Sequence, residues 1–202
     1  MSSVENPDSI NDFWFGSDTD DAVTVQQRSQ LWWSKNPEVD LQIRTRFASY
    51  VEAAAAHEFD AWQTSPGGVL ALILLTDQFP RHIYRDTAKA FASDPLARAW
   101  CRIGIEKGMD GNLRPIERAF FYLPLEHSES LEEQNWSVRL FTQLYQEVPP
   151  EHMDIFRRYL MFALRHRRVI ERFGRFPHRN KMLGRVSTLE EEAFLQESGA
   201  SF

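Results

Sequence analysis

Side chains able to hold an anion or move a proton gather at four short segments of this chain. They are Asp77-Gln78 with Arg81, His127 with Glu129, His166-Arg167 with Arg172, and Arg175, His178, Arg179, Asn180 and Arg185. Arginine's planar fork binds carboxylate or phosphate through paired hydrogen bonds. An imidazole beside a carboxylate, with a pKa near neutrality, can take and return a proton. His127, His178 and Glu129 are therefore the candidates for proton transfer. Asp77, Gln78, Arg81, His166, Arg167, Arg172, Arg175, Arg179, Asn180 and Arg185 are the candidates for holding a ligand. Each has a structural reading beside the chemical one. Arg167 has Glu171 four residues on as a helix partner, His166 can be a satisfied core histidine, Asp77 can fix helix ends in a buried ion pair, and the 174–185 loop can fold back on the body.

Other chemistries lack their motifs. There is no Gly-x-Ser-x-Gly elbow, phosphate loop or dinucleotide fingerprint. A metal would have to use Glu126, His127 or Glu129 with His166 or His178, and no H-E-x-x-H or aspartate-rich loop supports it. Neither a metal nor a cofactor is expected. Cys101, in a helical stretch, reads as a packing residue. The lone cysteine excludes an internal disulfide, and residues 1–9 carry no basic side chain of the kind targeting peptides use, so the expected compartment is the cytoplasm.

The net charge of −6 argues against nucleic acid as a partner, because neutralising phosphates needs a cationic surface. The longest aliphatic run, residues 69–75, is too short for a membrane span. Charge is nonetheless segregated: residues 157–185 hold ten basic side chains against one acid, Glu171. Such a block must pair with the chain's own acids or face an anionic partner.

The elements that position these groups are helices. Pro7, Pro37, Pro66, Pro95, Pro115 and Pro150 stand at helix starts, several after a capping residue (Asn6, Asn36, Ser65, Asp94). Gly16, Gly108 and Gly174 fall at stops, and Ser187 with Glu190 has the form of a capping box. Period-two alternation is absent. The prediction is an all-α fold of about eight or nine helices in one domain over residues 1–202, frayed at 1–6 and 199–202. Within it, a helix apolar on every face starts at Pro66 and stops before Pro80, leaving Asp77 near its C-terminal end, where a cation must offset the dipole. A second helix over 150–174 carries Arg157, Arg158, Arg165, Arg168 and Arg172 in one stripe, with a wide apolar arc around the rest, so it is expected to be buried on most sides.

These segments resemble a largely bacterial family of all-helical proteins known only as a domain of unknown function. The matching stretches are Phe13-Trp14-Phe15-Gly16, Thr76-Asp77-Gln78-Phe79-Pro80-Arg81, Tyr122-Leu123-Pro124-Leu125 with His127-Ser128-Glu129, and Arg172-Phe173-Gly174-Arg175-Phe176-Pro177-His178-Arg179-Asn180. The resemblance implies a tetratricopeptide-repeat-like arc of antiparallel helix pairs and no established reaction. His82 and Glu126 depart from the family's pattern and stay outside the expected site. Two functions follow as expectations: a pocket for an anionic small molecule with acid/base chemistry, or an interaction scaffold gripping acidic peptides.

Overall fold

Capping side chains and prolines set the helix starts. Asn6 accepts the N–H of Ser9, Asn36 that of Glu38 and Ser65 that of Gly68, each with proline at the next position. The structure, a computed structural model, describes residues 4–197, and no strand occurs among them. In order come α1 (Pro7–Phe15), α2 (Asp21–Trp33), α3 (Pro37–Ala55), α4 (Pro66–Ile73), a π turn (Leu74–Gln78) and α5 (Phe79–Ile83). Then follow α6 (Asp94–Glu106), α7 (Pro115–Glu126), α8 (Leu131–Glu147), α9 (Met153–Phe173) and α10 (Leu189–Leu195). The segments from α4 to α5 run on without a break and form one central rod.

That rod is where the local reading of the sequence fails. Pro80 does not stop it. The π turn shifts the bonding by one residue, so Phe79 donates its N–H to the Leu74 carbonyl, and the wider turn takes in the proline ring. Residues 69–75 and Phe79 are wholly or almost wholly buried, packed among α1, α3, α6 and α7. Aromatic rings close the space around them: Trp14 lies 5.3 Å from Phe79 and 5.7 Å from Phe120. Helix α6 approaches α7 so closely at Gly104 that a Cβ there would sit 2.2 Å from the Phe121 ring.

Three further expectations need correction. Asp94 does not cap α6: Ser93 precedes the helix, and the Asp94 carboxylate serves the site described below. The capping box lies one residue later than Ser187 and Glu190, at Thr188 and Glu191. Helix α9 is not buried on most sides, because α8 and α7 cover one face and leave Met161 48% and Phe162 46% exposed. At the N-terminal end, Glu5 accepts two hydrogen bonds from Arg46 and Asn6 caps α1. Residues 1–3 and 199–202 of the predicted frayed ends lie outside the described residues. No described helix is long and apolar enough to cross a membrane.

Candidate functional site

The π turn carries Asp77 inward, and its side chain is wholly buried. Its carboxylate accepts from Gln78 Nε2 at 2.5 Å and faces His127 Nδ1 at 2.8 and 3.0 Å. Arg81 stands one turn on, 3.3 Å from the carboxylate, and donates to the Asp77 carbonyl at 2.6 Å. Burial alone would raise the Asp77 pKa, but the Arg81 charge and the hydrogen bonds from His127 and Gln78 outweigh it and hold it well below the carboxylate range. An ionised carboxylate only accepts hydrogen bonds, so His127 donates from Nδ1 and keeps its lone pair on Nε2. Burial, and then the nearby Arg81 charge, lowers the His127 pKa and keeps the ring neutral at physiological pH.

Arg81 extends its fork to Asp94, at 3.0 and 3.1 Å. Arg179, brought in by a short 3-10 turn (Pro177–Arg179), reaches the same carboxylate only at 3.4 Å. Its guanidinium lies against the rings of Phe91 and Phe176, at 4.6 and 4.5 Å, and its Nε finds no acceptor. Burial, followed by repulsion from Arg81, pulls the Arg179 pKa down to about 10. It remains a cation at neutral pH, with incomplete compensation.

A second imidazole–carboxyl pair lies alongside. His166 Nδ1 is 2.9 Å from the Phe162 carbonyl and 3.1 Å from Glu126 Oε1. A carbonyl only accepts, so this nitrogen carries the proton. Glu126, the last residue of α7, is buried, and its Oε2 has no hydrogen-bond partner. Burial, reinforced by the Asp77 charge, pushes its pKa up to about 8, so the carboxyl is largely neutral at pH 7. The rings of His127 and His166 are 6.2 Å apart. His178 is held neutral as well, its pKa lowered to about 3 by burial and by Arg179.

Arg81, His127, His166, His178 and Arg179 border one cavity of about 340 Å³. Of the residues singled out from sequence, Gln78, Arg81, His127, His166, His178 and Arg179 line it, and Asp77 lies directly behind His127. The others occupy ion pairs away from its walls. Glu129 accepts the Phe176 N–H at 2.8 Å and both arms of Arg185 at 2.7 and 2.9 Å. Arg175 binds Glu191 at 2.6 and 2.8 Å, and Asn180 donates to Ser187 and Glu191. Arg167 pairs with Glu171 and Asn135, and Arg172 with Glu190. The basic loop is thus tied to α10 and to the α7–α8 connection, and His178, Arg179 and Met182 are the parts of it that turn to the cavity.

Several residues of the site escaped the sequence reading. Glu126 and His82 were set aside as departures from the family pattern. His82 lines the cavity, 2.9 Å from Asp40, which also binds Arg85 at 2.7 Å. Asp94 reads as a cap, yet holds both arginines. Trp33 and Phe91, aromatic side chains of the kind that usually fill a core, border the cavity, and Trp33 is 52% exposed. A paired Trp32-Trp33 at a helix end, with only one ring able to face the core, is the signal that could have marked Trp33. Among the described residues, no group of three or more His, Cys, Asp or Glu side chains is arranged to hold a metal ion.

No curated protein matches the chain. A solved protein of unknown function from Agrobacterium tumefaciens is similar to it at 36% sequence identity, over 95% of this chain and 97% of that one, with a TM-score of 0.81. The model of a bacterial family of unknown function, DUF924, matches residues 10–199. The chain belongs to that family.

Proposed function

We propose that the cavity binds an anionic small molecule and that the Asp77–His127 pair exchanges a proton with it. The observation that carries this reading is Arg179, a buried cation with a 3.4 Å contact to a carboxylate already engaged by Arg81, and with no acceptor at Nε. An under-compensated buried charge is costly, and an anion entering the cavity offsets that cost. His127 then has the form of a general base. Nε2 takes the proton from the ligand, and ionised Asp77 stabilises the imidazolium at Nδ1 until the proton is returned.

The test is a thermal-shift screen of small anions against their neutral analogues, with wild-type protein and Arg179→Met. Anions that raise the melting temperature of the wild type and not of the variant support the reading, because a ligand specific to the folded state stabilises by mass action. Equal effects on both proteins sink it.

A second reading rests on the opposite face of α9. There Met161 and Phe162, 48% and 46% exposed, lie among Arg157, Arg158 and Arg165 around a shallow depression of about 380 Å³. We infer that, if the helices serve as a tetratricopeptide-repeat-like scaffold, this stripe is where an acidic peptide docks. Capture of such a peptide would then weaken steeply with salt.

A further inference from the structure

The cavity's lining is of two chemistries. Lys35, Arg81, Arg85, Asp86, Arg179 and four imidazoles supply one part, and Trp33, Phe91 and Met182 contribute to the other. The Arg179 guanidinium lies against the rings of Phe91 and Phe176, and its N–H groups all point in its own plane, so any added hydrogen bond lies there. A planar acceptor with two oxygens matches that edge. Charge sets a further limit. Four cations, Lys35, Arg81, Arg85 and Arg179, stand against four carboxylates, Asp40, Asp77, Asp86 and Asp94, and the imidazoles of His82, His127, His166 and His178 are all held toward the neutral form. One added negative charge is balanced by a single proton taken up on an imidazole. A dianion such as a phosphate ester needs two.

Trp33 decides what the rest of the ligand must be. One face of its indole stacks on Phe120, at 5.5 Å between centroids and 13° between planes, which fixes the ring. More than half of its surface still meets solvent at the cavity's edge. A flat apolar ring laid there removes that surface from water and gains stacking contact. A volume of about 340 Å³ lies at the small end of ligand pockets, which suits one or two rings.

We propose that the cavity takes an aromatic monocarboxylate, its carboxylate in the plane of Arg179 and its ring against Trp33. This rests on the anion-binding reading above and narrows it.

The experiment titrates the full-length chain with 2-naphthoate, acetate, inorganic phosphate and neutral 2-naphthol, following melting temperature and tryptophan fluorescence. The expected result is binding of 2-naphthoate at least tenfold tighter than acetate or phosphate, with little binding of 2-naphthol. Trp33→Leu should weaken 2-naphthoate at least tenfold and leave acetate unchanged. If phosphate binds best, if 2-naphthoate binds no better than acetate, or if folded Trp33→Leu keeps full 2-naphthoate affinity, the aromatic class is wrong while the anion site stands. If 2-naphthol binds as tightly as 2-naphthoate, or no anion binds, the anion site itself is wrong. The ladder of ligands decides the matter in the wild type alone, should Trp33→Leu not fold.

Discussion

Asp77 and His127 stand 50 positions apart in the chain and 2.8 Å apart in the folded protein. Asp77 sits in a π turn of the central rod, and His127 caps the C-terminal end of α7. The pair therefore ties two helices together as well as facing the cavity. Asp77→Asn keeps the shape but removes the charge, leaving Arg81 with Asp94 alone. The expected loss is about 3 kcal/mol, toward the low end for breaking a buried ion pair because one partner remains, measured by urea unfolding at pH 7. The folded Asp77 pKa is depressed, so its stabilisation is present above the unfolded value and fades as pH falls below about 4. The Asn variant should lose stability less steeply than the wild type in that acid range.

Arg179 and Arg175 are four residues apart and should behave in opposite ways. Arg175 locks the loop to α10 through Glu191 and the Val186 carbonyl, whereas Arg179 lines the cavity. Arg175→Met should lower the melting temperature and leave anion binding intact. Arg179→Met should abolish anion binding, with the melting temperature of the unliganded protein held or raised, since methionine packs against Phe91 and Phe176 without a buried charge. If both variants lose stability alike and neither affects binding, the loop is only a fastening.

Helix starts were legible because capping and proline preference are local: Asn6, Asn36 and Ser65 each need only the next three residues. The Pro80 error shows where such reasoning ends. Proline's missing N–H opposes a regular α-helix, yet tertiary packing of the apolar run favoured a π turn over a break, and no local rule weighs those against each other. The convergence of Asp77, Arg81, His127, His166 and Arg179 was readable as residue types, through the need of buried charges for partners. Which arginines would be consumed as fastenings was not. That depended on where Glu129 and Glu191 fall in space, 56 positions from Arg185 and 16 from Arg175 respectively.

Cys101 tests the core rather than the site. It is fully buried in α6, and burial raises its thiol pKa well above the ordinary value. The native protein should show no reaction with a disulfide reagent at pH 8. One thiol should appear on adding denaturant, matching the single cysteine of the chain. Rapid reaction without denaturant would mean that α6 opens readily and that the packing at Gly104 and Phe121 is looser than its geometry requires.

Glu126 gives the sharpest dependence on pH. Its pKa rises from about 4.5 in the unfolded chain to about 8 in the fold, so between those values the folded protein holds a proton that the unfolded chain has released. Raising the pH through this window therefore destabilises the wild type, by up to about 1.4 kcal/mol for each unit. Glu126→Gln keeps a carbonyl oxygen for the His166 N–H and has nothing to ionise. Other titrating groups are common to both proteins and largely cancel in the difference between them. The Gln variant should thus match the wild type near pH 5 and exceed it in stability increasingly toward pH 8.5, measured by urea unfolding across the range. A difference that stays constant with pH would mean that Glu126 is already ionised in the fold, with His166 carrying the compensating proton, and would reverse the protonation states assigned to that pair.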